Sequence, residues 1–391
     1  MALRDFYERL RVDESLAKDT DFNPYYLTLN SGLSEKIYVN GREMIDLASN
    51  NYLGLADDIR VKQAAVDAIY EYGTSLCGTP IATGYIDLYQ KLERELSSFV
   101  GLEETIILPS CYQANNGLFN CIAGSQDLIV VDRLAHSSLI QGIKASGSKI
   151  RPFLHNNLEH LDDILQRSRD YRQVFVVTES VFSTEGSIAP CKEIVQLCEK
   201  YQAIPIIDDS HGLGVLGKSG QGILEEQKIE GYKGIYTASL GKAISNSGGM
   251  ISGAKSLINY LRYYCSHLVY STALTPAALA GISAVLDIIH SEFPGIKKRL
   301  VSHQRRIYEA LMEGGFKVVS GEAPINSIQT GSKEETFILA KKLYAKGILS
   351  TPFIEPAVPI NEGRVRLIAG AGLSSDTISE AVEIIKRIGF S

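Results

Sequence analysis

T-A-S-L-G-K-A-I-S-N-S-G-G, Thr237 to Gly249, decides how the rest of the chain is read. One lysine, Lys242, stands there among small and hydroxyl-bearing residues, with a glycine pair a short distance on. The strand-like run Gly234 to Tyr236 leads into it, so the ammonium is expected at the mouth of a sheet and not on a charged surface helix. A lysine whose surroundings lower its pKa becomes a nucleophile towards aldehydes. The other reading of Lys242 is a solvated surface lysine, and the choice rests on what surrounds it.

Working outward, apolar strand-like runs take turns with helical stretches. Strands are expected at Thr105 to Leu108, Asp127 to Val131, Lys149 to Phe153, Val174 to Thr178 and Ile204 to Ile207. Helices are expected at Arg60 to Tyr72, Leu88 to Val100, from the P-S-C-Y-Q-A-N loop to about Ala123, from near His136, Leu158 to Arg169 and Cys191 to Tyr201. This alternation predicts an α/β fold with a mainly parallel sheet covered on both faces. Ligands in such sheets gather beyond the carboxyl ends of the strands, and polar clusters stand there. Ser110-Cys111-Tyr112 follows the first strand, Asp132 and His136 the second, Glu179 to Gly186 the fourth, and Asp208 to Gly214 the fifth.

Each cluster has a chemical reading beside a plain one. Ser110 to Asn115 enters a helix whose free amides suit a phosphate; otherwise Ser110 is a simple cap. His136 either stacks on a cofactor or only opens a helix. A carboxylate such as Asp208 beside a pyridine nitrogen keeps it protonated, and a histidine three residues on reaches the phenolic oxygen. Asp208 and His211 could equally be buried structural residues. With Lys242, the set points to pyridoxal phosphate held as a Schiff base. Gly212 to Ser219, G-L-G-V-L-G-K-S, matches both a dinucleotide fingerprint and a phosphate loop. Neither pattern has its context, because D-D-S-H intervenes before the first glycine and Gly220-Gln221-Gly222 stands where the helix should start. These glycines are expected to let the chain turn closely beneath a cofactor.

The 391 residues exceed one ordinary core. The expected organisation is an arm and hairpin over 1–45, a large cofactor-binding domain over 46–275 and a smaller α+β domain over 276–391. The arm reads as a helix from Asp5 to Lys18, then a hairpin turning at Asn40-Gly41. Ala48 to Leu55, A-S-N-N-Y-L-G-L, reads as an irregular polar and aromatic segment. A hydrophobic content of 45% suits a globular protein, and a net charge of −6 offers no basic stripe for nucleic acid. No stretch has the length of a membrane span, and the amphipathic N-terminus lacks the apolar core of a secretion signal. Six cysteines without metal-ligand spacing predict reduced thiols, no metal and a cytoplasmic location.

Taken together, S-N-N-Y-L-G-L, S-C-Y-Q-A-N-N-G, E-S-V-F-S-T-E-G-S-I-A-P, D-D-S-H-G-L-G-V-L-G and S-L-G-K-A-x-x-x-x-G-G resemble the α-oxoamine synthases, a group of fold-type I pyridoxal phosphate enzymes. The resemblance runs from about Asp46 to the C-terminus. It implies that Lys242 carries the cofactor as a Schiff base, that Asp208 pairs with the pyridine nitrogen, and that His211 meets the phenolic oxygen. His136 would stack on the ring. Ser110, Cys111, Tyr112 and Ser239 would hold the phosphate, with Thr272 from the other subunit of a homodimer. Glu179 and Ser183 would lie just behind, and Arg366 with Asn50 would hold a substrate carboxylate, a task that suits a guanidinium fork. The implied reaction condenses an amino acid with an acyl thioester, usually acyl-CoA, in most members with loss of carbon dioxide. Lys242 serves first as anchor and then as base.

Some residues depart from the family pattern. Pro80 replaces an arginine, Tyr89 a histidine, Ile354 an arginine of the biotin-pathway branch, and A-G-A-G-L-S near the C-terminus contains no histidine. These positions bear on the acyl donor more than on the cofactor. Two other readings stand beside the acyltransferase. One is a pyridoxal phosphate enzyme of another type, an aminotransferase, decarboxylase or aldol-type lyase. The other is a non-catalytic partner subunit, against which the retention of Lys242, Asp208 and His211 argues.

Overall fold

The computed structural model describes residues 3–10 and 14–389. The expected N-terminal helix is two short ones, Leu3–Glu8 and Ser15–Asp19; residues 11–13 lie outside the described residues. The hairpin follows as β1 (Ile37–Val39) and β2 (Arg42–Asp46), antiparallel, with Asn40 and Gly41 at φ of 50° and 75° in the turn. Positive φ at both central positions is the mirror-image turn that Asn-Gly favours.

The large sheet holds β3 (Glu104–Leu108), β4 (Leu128–Asp132), β5 (Lys149–Phe153), β6 (Val174–Glu179), β7 (Ile204–Asp208), β8 (Ile235–Ser239) and β9 (Gly249–Gly253). Its seven strands run in the order β3-β9-β8-β7-β6-β4-β5. β5, β4, β6, β7 and β8 run parallel to one another, and β9 is antiparallel to both β8 and β3. Both faces are covered. Leu128, Val130, Val176 and Ile207 belong to one apolar cluster, Ile129, Val131, Val177 and Ile206 to the other. Alternation between two buried faces is why these strands read as near-continuous apolar runs. The helix after β5 ends at Gln166, earlier than expected, and an intervening short helix, Pro80–Gly84, carries Pro80 at its first position.

A second layer is built from β10 (Val318–Ser320), β11 (Asn326–Gly331), β12 (Ile348–Leu349), β13 (Thr351–Phe353) and β14 (Gly363–Leu367). Four of these make the antiparallel sheet β10-β11-β14-β13, while β12 pairs in parallel with β2. The helix Pro276–Glu313 joins the layers: Ala278 to Leu300 contribute to the larger core, and Ile307, Ala310 and Leu311 to the second. At 38 residues it spans about 57 Å. Among the described residues it alone is long and apolar enough to cross a membrane, and half of its apolar window is buried inside the protein.

Candidate active site

The parallel strands deliver polar residues to one edge. Asp132, Glu179, Asp208 and Ser239 are the last residues of β4, β6, β7 and β8. Lys242 lies in the turn between β8 and β9, which is closed by Leu240 N–H to Gly248 C=O at 3.0 Å and Ser245 N–H to Lys242 C=O at 2.8 Å. Burial pushes the Lys242 pKa down, while Asp208, Cys111 and Glu179 pull it up; the net direction is down.

Asp208 is buried and held on both oxygens. Ser210 N–H donates to Oδ1 at 3.0 Å and Asn115 Nδ2 to Oδ2 at 2.8 Å. Asn115, fully buried on the helix Cys111–Ile122, also donates to Ser138 Oγ at 2.9 Å and accepts from Thr237 Oγ1 at 2.9 Å. Ser138 Oγ stands 2.8 Å from His136 Nδ1. The His136 amide donates to Glu179 Oε1 at 2.6 Å, and its ring is exposed towards the cleft. Burial and the nearby Asp208 raise the Glu179 pKa to about 8. His211 is buried, with Nδ1 2.8 Å from the Tyr52 hydroxyl. Burial, then Lys242 and Arg366, press its pKa well down, which keeps the ring neutral.

The helix Cys111–Ile122 starts directly after its cap, Ser110, whose Oγ accepts from Gln113 N–H at 3.1 Å. The Ala114 amide uses Ser110 C=O, so the amides of Cys111 and Tyr112 are those the helix itself does not use. β9 approaches closely here, since a Cβ on Gly249 would stand 2.3 Å from the Cys111 nitrogen. Cys111 Sγ lies 3.3 Å from Ser210 Oγ, Tyr112 is exposed, and Ser239 Oγ accepts from Gly241 N–H at 3.2 Å. Thr272 is exposed; its neighbour Ser271 accepts from Gln113 Nε2 at 3.0 Å.

Arg366, on β14, is buried with Nη1 donating to Ser183 C=O at 3.1 Å and its guanidinium 5.0 Å from the Phe353 ring centre. Its Nε and Asn50 Oδ1 are buried without a hydrogen-bond partner among the described residues. The unpartnered guanidinium nitrogen, the two spare helix amides and the Asp208 carboxylate fit pyridoxal phosphate with a bound carboxylate, because each meets a group of opposite character there. Beside His136 and Ser183 opens a cavity of about 520 Å³, walled by Leu134, Ile140, Phe182, Phe353 and Val358, with Arg364.

Two expectations change. Gly212 and Gly222 close on the carboxylate of Asp209, which is fully buried and takes Ile223 N–H at 2.8 Å and Tyr236 O–H at 2.7 Å on Oδ2. A Cβ on Gly222, at φ +88°, would stand 2.0 Å from that oxygen, so the close turn serves Asp209. Tyr89, where the family carries histidine, is buried, and its hydroxyl accepts from the Leu274 amide. Asn115, Ser138 and Tyr52 are site residues that the sequence reading left out. Asn115 had a signal: it is four residues after Cys111 and so on the same helix face.

The family described as aminotransferase class I and II matches residues 42–385. An 8-amino-7-oxononanoate synthase of Petrotoga mobilis is 32% identical over 389 residues, covering 99% of this chain and 99% of the relative. A serine palmitoyltransferase of Sphingobacterium spiritivorum is 32% identical over 364 residues, covering 93% of this chain and 91% of the relative. Among solved structures, a serine palmitoyltransferase of S. paucimobilis with PLP and myriocin bound has a TM-score of 0.94 at 23% identity, covering 100% of this chain and 99% of that one. At that identity the likeness shows the fold.

Proposed function

The chain belongs to the class I and II aminotransferase family and, within it, to the α-oxoamine synthases, pyridoxal phosphate enzymes that condense an amino acid with an acyl thioester, and from that premise we propose how its own residues do so. When bound, the cofactor supplies an electron sink for the pair left on the amino acid's α-carbon. Lys242 Nζ would hold it covalently and would serve as the base that takes the amino acid's α-proton. The lowered pKa of Lys242 supports this role, since only the neutral amine is nucleophilic and basic.

Asp208, aimed by Asn115 and the Ser210 amide, would keep a proton on the pyridine nitrogen. Tyr52 occupies Nδ1 of His211 and leaves the other ring nitrogen for the phenolic oxygen. The His136 ring would cover the cofactor face, with Glu179 holding its backbone. Ser110, the Cys111 and Tyr112 amides and Ser239 hold the phosphate. Arg366, with Asn50, grips the amino acid carboxylate, its free Nε gaining a partner. The acyl chain enters the cavity beside Ser183, whose apolar walls suit it. The donor is acyl-CoA, and the thiol leaves as the carbon–carbon bond forms; loss of the carboxylate as carbon dioxide gives an α-aminoketone.

The enzyme works as a cytoplasmic homodimer, the partner subunit's Thr272 completing each phosphate site. Exposed Tyr112, Tyr263 and Tyr270 support that assembly. The observation that carries the function is one partly buried amine facing an acid, Asp208, that two donors hold in place. The test mixes PLP-loaded protein with each of the twenty amino acids and an acyl-CoA series and follows free thiol. Thiol release dependent on one amino acid is expected. Keto acid formation with no thiol from any donor would make it an aminotransferase.

A further inference from the structure

Beside the cofactor residues runs a second polar line that the proposed chemistry does not use. Asp132 is fully buried and turns both oxygens to His155, 3.1 and 3.2 Å from Nδ1. Its Oδ1 also accepts from Leu134 N–H at 2.8 Å and its Oδ2 from Asn156 N–H at 3.0 Å. The other ring nitrogen, Nε2, lies 3.1 Å from Glu185 Oε1 and 3.1 Å from Ser187 Oγ, with Asn156 Nδ2 at 3.2 Å. Glu185 Oε2 then takes Nη1 of Arg364, whose Nη2 is 3.5 Å from Glu362. The Phe182 ring meets the imidazole edge to face with centres 4.4 Å apart. Charges alternate in sign along this line, and among the described residues no cation touches the imidazole directly.

The two ends give the line its meaning. From Asp132 the chain runs four residues to His136, and the Leu134 amide bonded to Asp132 fixes that turn. At the other end Arg364 is two residues from Arg366 on β14, and Arg366 is tied to Ser183, two residues before Glu185. An imidazole with both nitrogens protonated donates to both carboxylates; with one proton it serves only one. Burial pushes the His155 pKa down, but Asp132 and Glu185 outweigh it and bring it up to about 9.

We propose that His155 is a positioning residue which, as an imidazolium, bolts the turn bearing His136 to the strand bearing Arg366 and so fixes the spacing between the group covering the cofactor and the group gripping the substrate carboxylate. The proposal rests on the roles given above to His136 and Arg366. Because the folded pKa is raised, the stabilisation that the bolt contributes is fully present below about pH 6.5, and the imidazolium itself is lost only as pH rises through about 9.

The experiment has two arms. Nitrogen-15 NMR of the imidazoles, with His155→Gln identifying the resonance, reports the protonation of His155 directly. Both nitrogens protonated at pH 7.5, with titration above pH 8, is expected; a single neutral tautomer at pH 7.5 overturns the proposal. If His155→Gln does not fold, Ser187→Ala, which removes the hydroxyl beside Nε2 and Glu185 Oε1 and leaves the Asp132 side of the ring untouched, identifies the resonance. In the second arm, PLP-loaded protein at pH 7.5 is titrated with glycine, L-alanine and L-serine, and binding is read from cofactor absorbance. His155→Gln should weaken the amino acid that wild type binds by tenfold or more, with PLP affinity changed less than threefold. Unchanged amino acid affinity overturns the proposal. Failure of wild type to bind any amino acid would tell against the proposed function, while the NMR arm still decides the state of His155.

Discussion

Replacing Tyr52 by phenylalanine removes a single oxygen and leaves the ring where it packs. That oxygen is 2.8 Å from Nδ1 of His211, and both side chains are buried, so water cannot take its place. Leaving one buried partner unsatisfied costs about 1–3 kcal/mol. The ring adds nothing to that figure, because Phe keeps the apolar contacts of Tyr52 with its core cluster. The loss also frees His211 to choose its tautomer, since the bond at one ring nitrogen sets which nitrogen carries the proton. If the freed ring loses about 1.4 kcal/mol of transition-state stabilisation, kcat/KM falls roughly tenfold. Urea unfolding of the PLP-loaded variant measures the first quantity, and thiol release with saturating acyl donor the second. A variant within ~0.3 kcal/mol of wild type, below the ordinary effect of losing such a bond, and with unchanged kcat/KM would show that this bond neither holds nor orients His211.

Lys242→Ala should bind PLP without being labelled by it: borohydride reduction followed by peptide mass spectrometry should mark wild type at Lys242 and the variant nowhere, and a mark on another lysine would move the anchor. Asn115→Ala strips a donor from Asp208 and an acceptor from Thr237, so PLP affinity should fall tenfold or more in an absorbance titration; unchanged affinity would mean that the Ser210 amide suffices to aim the carboxylate.

β4, β6 and β7 were legible because each is an apolar run ended by a polar residue, as in Ile204 to Asp208. β9 was not. Its sequence, G-M-I-S-G, is bounded by glycines and follows the lysine turn without a break, and its first glycine is selected by the close approach of Cys111, which no local pattern reveals. The site divides in the same way. Lys242, Asp208, His211 and His136 announce themselves by residue type at strand ends. Tyr52 does not, since its partner lies 159 residues away and the contact depends on the second layer. There Ala371 N–H donates to Tyr52 C=O at 2.8 Å, and a Cβ on Gly54 would stand 2.3 Å from Gly372 Cα. The A-G-A-G run that departs from the family pattern is therefore a backbone-to-backbone seam. The roles of Asn115 and His155 were hidden for the same reason: their partners come from separate strand ends and meet only when the sheet is assembled.

The helix from Pro276 to Glu313 is a strut embedded in two apolar clusters at once. Neither cluster can melt without releasing a rod that the other still needs, so loss of one propagates to the second and neither half is an excisable module. Any breathing of the cleft between β7 and β14 is restricted to what that continuous rod permits by flexing.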